Sequence, residues 1–170
     1  AGDLQRRWCA LRLSKLNPVR ESPVPKQPFV LVVDQSAGDR SISLGQATPE
    51  SFRRMLREAL RDHPDCLVVV KVHPDVIRGR ARGHFRRKDL QHPRIRICAD
   101  GLHPAGLLEQ AQAVFVVTSQ MGFEALLWGR TVHCFGMPFY AGWGLTRDRL
   151  RAPLRRGLSV PLEALRSEEH

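Results

Sequence analysis

Short unbroken apolar runs alternate along the chain with longer stretches whose apolar residues recur every three or four positions. The runs FVLVVD (29–34), CLVVVKVH (66–73), RIRICA (94–99), AVFVVT (113–118) and TVHCFG (131–136) read as β-strands. Most lack period-two alternation, as expected of strands covered on both faces of a parallel sheet. Between them, TPESFRRMLREALRDH (48–63) puts Phe52, Met55, Leu56, Ala59 and Leu60 on one helical stripe. Thr48 suits its N-cap and Pro49 its first position. HPAGLLEQA (103–111) reads as a short helix, QMGFEALLWG (120–129) as a helix ended by Gly129, and 158–167 as a last helix. This alternation predicts an α/β fold, a Rossmann-like parallel sheet flanked by helices.

The first residues stand apart. Leu4, Trp8 and Leu11 share one face of a helix over 3–16. NPVRESPVPKQP (17–28) then carries four prolines in twelve residues and reads as a linker. The predicted organisation is a helix and Pro-rich linker over 1–28, belonging to something ahead of the main domain, and a Rossmann-like domain over 29–170.

Composition narrows this picture. A length of 170 residues suits one domain, and 42% hydrophobic content suits a folded one. No apolar run approaches the roughly 18–20 residues that span a bilayer, and the start lacks a signal-peptide core, so a soluble, intracellular protein is expected. Cys9, Cys66, Cys98 and Cys134 are not at metal-ligand spacing, and Cys66, Cys98 and Cys134, in or beside apolar runs, read as small buried hydrophobes in a reducing compartment. The formal charge of +10, carried mostly by arginine, implies an anionic partner: nucleic acid, a membrane surface or a phosphorylated substrate. The densest block, RGRARGHFRRKDLQHPRIR (78–96), serves equally as a solvated loop.

Parallel sheets bind ligands at the carboxyl ends of their strands. After the first strand stand Asp34, Gln35, Asp39, Ser41 and Gly45; after the second, beyond Lys71, His73, Pro74 and Asp75; after the third, Asp100 and Gly101. Thr118, Ser119 and Gln120 follow the fourth, and GMPFYAGWGLT, from Gly136 through Tyr140, the fifth. A helix starting at Ser119 or Gln120 leaves its first amides unpaired, and Gly122 lets a ligand approach, which makes a phosphate seat; plain N-capping explains the same residues. His-Pro occurs four times, but only His73-Pro74 directly follows an apolar strand, where the imidazole can hold a phosphate or carboxylate. Asp39, beside Gln35 and Ser41, suits a nucleophile or base, and Asp34 competes for that role. There is no P-loop and no G-x-G-x-x-G, which disfavours the standard ATP and nicotinamide sites.

DQSAGDRSI, KVHPD, TSQMGFEALLWG and FGMPFYAGWGLT, in this order and spacing, resemble the capsule polysaccharide β-Kdo transferases of Gram-negative bacteria over about residues 29–150. The resemblance implies the C-terminal, nucleotide-binding lobe of a two-lobed GT-B glycosyltransferase. It implies CMP-Kdo as donor and transfer with retention of β configuration. The product is a short poly-Kdo linker on a lipid that anchors the capsule, made at the cytoplasmic face of the inner membrane. Asp39 is implied as the carboxylate that attacks the sugar, oriented by Gln35 and Ser41. His73, Pro74, Lys71, Thr118, Ser119, Gln120 and Gly122 are implied in donor binding. Glu124 would reach ribose hydroxyls, and the loop with Gly136 and Tyr140 would shape the base or sugar pocket. No cofactor or metal is expected, since no Asp-x-Asp motif occurs.

Implied partners are CMP-Kdo, an anionic lipid-linked Kdo acceptor, the inner-membrane surface and capsule assembly proteins, with no specific nucleic acid. Residues 1–28 cannot hold a lobe of comparable size, so a missing N-terminal lobe and an inactive isolated chain are expected. Three alternatives stand: a transferase or epimerase for another nucleotide sugar, a basic module binding RNA or anionic lipid through Arg78, Arg80, Arg82, Arg86, Arg87 and Lys88, and a catalytically dead interaction subunit.

Overall fold

The computed structural model describes residues 2–14, 20–99, 102–153, 159–162 and 164. Among the described residues, six strands form one sheet in the order β3-β2-β1-β4-β5-β6, every pair parallel. They are β1 (Phe29–Val33), β2 (Leu67–Lys71), β3 (Ile95–Cys98), β4 (Ala113–Val116), β5 (Thr131–Cys134) and β6 (Arg147–Asp148). The helices are α1 (Gly2–Ala10), α2 (Arg40–Leu44), α3 (Pro49–Asp62), α4 (Pro74–Ile77), α5 (Ala105–Gln110) and α6 (Met121–Leu127). This is the predicted Rossmann-like α/β class, and its strand order is that of a doubly wound sheet.

The absence of alternation in β1 has a direct cause. Phe29, Leu31 and Val33 enter one core with Val114, Val116, Leu107, Leu108 and Ala125. Val30 and Val32 enter the other with Phe52, Met55, Leu56, Ala59 and Phe115. Thus α3 covers one face, and α5 and α6 cover the other. The α3 start forms as its sequence predicts, with the Thr48 amide donating to Ser51 Oγ at 3.1 Å.

The chain leaves β1 toward β2 and β3, then returns to place β4 on the other side of β1. The loops after β1 and β4 therefore diverge, and a crevice opens between them.

The division at residue 28 does not separate two bodies in the packing. Gln5 Nε2 and Cys9 Sγ donate to the Leu127 carbonyl of α6, at 2.9 and 3.4 Å. Arg12 lies over the Trp128 ring and pairs with Glu109 and Glu21. Glu21 forms a parallel bridge with His103, and the Ser22 amide donates to the His103 carbonyl. Trp8 is half-buried. Helix α1 is shorter than the 3–16 predicted, and the predicted helix at 158–167 lies mostly outside the described residues. Cys66 and Cys134 are buried as expected, whereas Cys98 is half-buried and 3.7 Å from Lys71 Nζ.

Candidate functional site: the cleft at the carboxyl ends

A cleft of about 330 Å3 opens at the switch point. Gln35, Asp39, Ser41, Lys71, His73, Thr118, Ser119, Gln120 and Glu124 line it, together with Ser14, Leu102, Pro104 and Met121.

Gln35 ties the two diverging loops together. It is buried at the exit of β1, and its Oε1 accepts from the Thr118 amide at 2.9 Å. Its Nε2 donates to Asp39 Oδ2 at 3.1 Å and to Thr118 Oγ1 at 3.0 Å. Ser41 lies 2.9 Å from Thr118 through the two hydroxyls, closing the network. Asp39 itself caps α2, its Oδ1 accepting from the Ser41 amide at 2.9 Å. Partial burial pushes its pKa upward, but hydrogen bonds from the Ser41 amide and hydroxyl and from Gln35 outweigh that. The carboxyl lies below its ordinary value and is anionic at neutral pH. An anionic carboxylate, oriented through both oxygens at a cleft rim, has the form of a nucleophile.

Asp34 does different work. It is 4% exposed and does not line the cleft. Its Oδ1 accepts from the Gln35 and His84 amides at 2.9 and 3.1 Å, pinning the loop after α4 to the sheet. Burial raises its pKa.

His73 leaves β2 with its ring held from behind. Nδ1 accepts from the Asp75 amide at 3.1 Å and lies 3.0 Å from Ser36 Oγ. An acceptor at Nδ1 requires the neutral tautomer with its proton on Nε2, a donor for a ligand oxygen. Pro74 opens α4, and its side chain lies outside what the structure describes. Lys71 is 6% exposed at the end of β2, with Nζ donating to Ser22 Oγ at 3.1 Å.

Glu124 is 4% exposed, and its Oε2 accepts from Ser14 Oγ at 2.6 Å. Ser14 and Ser22 reach the site from the segment read as helix and linker. No local signal marks them, because tertiary docking alone brings them there.

Four expectations about individual residues need correction. The first amides of α6 are not open: those of Met121 and Gly122 turn back to Ser119 Oγ and Ser119 O, at 3.3 and 3.0 Å. Gly122 is small for Tyr140 rather than for a ligand, since a Cβ there would overlap the Tyr140 hydroxyl. Tyr140 is 0% exposed, does not line the cleft, and donates its hydroxyl to the Ser119 carbonyl. It is a strut behind the Ser119 turn, not a pocket wall. Gly136 likewise makes room for protein: a Cβ would sit 2.8 Å from Thr118 Cγ2 and 3.0 Å from the Val117 carbonyl. Asp100 and Gly101 lie outside the described residues. Among the described residues, no three of His, Cys, Asp or Glu converge as a metal site, and no helix is long and apolar enough to cross a membrane.

Known proteins match both the fold and the sequence. The chain is 42% identical to the Thermosulfurimonas dismutans KpsC β-Kdo 2,4 transferase, with a TM-score of 0.83 over 96% of this chain and 53% of that one. The β-Kdo 2,7 transferase of the same organism matches at 28% identity and a TM-score of 0.66, over 95% and 56%. A capsule polysaccharide modification protein, LipA of Neisseria meningitidis serogroup B, is 41% identical over 82% of this chain. The lipopolysaccharide-processing protein LpsZ of Rhizobium meliloti is 37% identical over 86%. The chain spans 20% of LipA and 34% of LpsZ. The capsule polysaccharide biosynthesis protein model matches residues 3–161, so it takes in the docked N-terminal segment as well as the sheet. By that match, the chain is a KpsC-like member of the capsule polysaccharide biosynthesis protein family.

Proposed function

We propose that this chain is the donor-binding lobe of a retaining β-Kdo glycosyltransferase that uses CMP-Kdo in capsule linker synthesis. The observation that carries the reading is the anionic Asp39, held by Gln35 and Ser41, in one cleft with His73, Lys71 and Ser119. A match to about half of each solved Kdo transferase is what one lobe of a two-lobed GT-B enzyme would give.

In this reading the phosphate of CMP-Kdo lies between His73 Nε2–H and the Ser119–Gln120 turn. Lys71 balances the sugar carboxylate, and Glu124 accepts from ribose hydroxyls. Asp39 attacks the anomeric carbon, forming a carbon–oxygen bond as the bond to the CMP phosphate breaks. The electron pair leaves with CMP, and hydrogen bonds to its phosphate stabilise that charge. An acceptor hydroxyl then attacks from the opposite face and passes its proton to water, while the carbon–oxygen bond to Asp39 breaks and returns its electron pair to the carboxylate. Two inversions give net retention. No step requires a metal. The acceptor is an anionic, lipid-linked Kdo chain at the cytoplasmic face of the inner membrane, met in the cleft between this lobe and an N-terminal one, within a capsule assembly.

Two measurements test this. Calorimetry on the chain should show CMP binding, lost in His73→Ala, and weaker UDP binding; equal affinity for UDP moves the donor assignment elsewhere. Intact-mass spectrometry after CMP-Kdo incubation, on a protein carrying both lobes, should show one Kdo adduct. The adduct should vanish in Asp39→Asn and persist in Asp34→Asn. The reverse pattern sinks Asp39 as nucleophile.

A further inference from the structure

Helix α3 and the loop over 78–88 are both rich in arginine, but they treat it differently. On α3, Arg53 and Arg57 pair with Glu50, Arg54 with Glu58, and Arg61 with Asp62. On that surface each arginine has an acid partner. The loop carries Arg78, Arg80, Arg82, Arg86, Arg87 and Lys88, all exposed, and none joins an ion pair among the described residues. Of the acids nearby, Asp89 accepts from the Arg86 amide at 2.8 Å, buried Asp34 accepts from the His84 amide, and Asp75 Oδ2 lies 3.8 Å from His73 Nδ1.

The loop is also built rather than slack. The Ala37 amide donates to the Arg82 carbonyl at 2.6 Å, and the Arg80 amide to the Asp75 carbonyl at 2.8 Å. His84 stacks on Phe52 with ring centroids 3.8 Å apart. Its anchor points, Asp34, Ala37 and Asp75, belong to the same loops that place Asp39 and His73 in the cleft. A set of unpaired cations is therefore anchored, through its backbone, to the loops that carry Asp39 and His73.

We infer that this loop is the surface by which the molecule docks on an anionic lipid bilayer, turning the cleft mouth toward the headgroups. Unpaired cations attract such a surface over a Debye length. Two large apolar side chains on the same sheet edge suit the interfacial zone: Ile77, next to Arg78, is 40% exposed, and Leu44, at the end of α2, is 80% exposed. A single-stranded nucleic acid would instead call for exposed stacking aromatics. Here Phe85 is half-buried and set edge-on to Phe52, and His84 is stacked beneath the loop. The assignment extends the proposed function by naming the face presented to the membrane; the docking itself does not require the cleft chemistry.

The experiment is vesicle co-sedimentation of the chain, with phosphatidylcholine vesicles containing or lacking 30% phosphatidylglycerol, and polyuridylic acid as competitor. Binding should require phosphatidylglycerol and weaken steeply with salt. The variant Arg78→Ser/Arg80→Ser/Arg86→Ser/Arg87→Ser should bind on the order of a hundredfold or more weaker. Its circular dichroism and CMP calorimetry should be unchanged. Leu44→Ser/Ile77→Ser should weaken vesicle binding several-fold at unchanged charge. Wild-type-like binding by the quadruple variant, equal binding to neutral vesicles, or preference for polyuridylic acid would each overturn the assignment. Loss of CMP binding with vesicle binding intact would count against the cleft reading alone.

Discussion

At the carboxyl ends of the strands, His73 accepts at Nδ1 from the Asp75 amide and keeps Nε2–H for something outside the protein. At the amino ends, a second cavity is lined by His133, His63, Asp62, Arg147 and Arg149. There Arg149 donates to His133 Nδ1 at 3.1 Å and pairs with Glu58 at 2.6 Å. His133 stacks on Phe115 at 4.4 Å. Burial first, then the charges of Arg149 and Arg147, holds its pKa down to about 4. Both ends carry imidazole and carboxylate. At one, the protein's bonds orient the groups and leave their working atoms available. At the other, the bonds close on each other and serve cohesion. Topology draws this line, because the switch point lies at the carboxyl end alone.

The largest expected effect is at Asp39. In a protein carrying both lobes of the proposed transferase, Asp39→Asn should lower Kdo transfer by roughly a thousandfold or more while thermal unfolding barely moves. Retained turnover would erase the contrast between the two ends. Next is Gly122→Ala, whose methyl group has nowhere to go against Tyr140. It should cost about 1–3 kcal/mol in denaturant unfolding and weaken CMP binding by displacing the Ser119 turn. Glu58→Gln at the other end should cost about 1–2 kcal/mol and leave CMP binding unchanged, which calorimetry checks.

The smallest effect is one of pH. Between pH 6.5 and about 4 the unfolded chain protonates His133 and the folded chain does not, so stability should fall on acidification across that window. Glu58 adds the same sign at lower pH. Its Arg partners outweigh burial and lower its pKa, and their contribution disappears as pH falls through the folded value. His133→Gln should make the slope above pH 4 shallower, measured by urea unfolding across the range.

The sheet and its main helices are legible in the sequence because each states its own environment. FVLVV is apolar throughout because both its faces are covered, and Thr48-Pro49 mark a helix start by local chemistry. β6 is invisible because it is two charged residues, Arg147 and Asp148, with no apolar run to mark their pairing with β5. The candidate cleft divides in the same way. Gln35, Asp39, His73 and Ser119 can be found because strand ends of a parallel sheet share one edge. Periodicity alone does not bury Glu124 in α6; the contact with Ser14, across 110 residues, helps to do so. Gly122 reads as room for a ligand until Tyr140 is seen filling that room. Contacts made across the fold leave no local trace.

The bridge between Glu21 and His103 has a practical consequence for dissecting the protein. A truncation starting at Phe29, where periodicity invites the cut, would strip the hydroxyl donor from Glu124 and the hydroxyl acceptor from Lys71, and remove Ser14 from the cleft lining. Such a shortened protein would keep its sheet and misreport its ligand affinity, so a minimal binding unit has to begin upstream of Ser14.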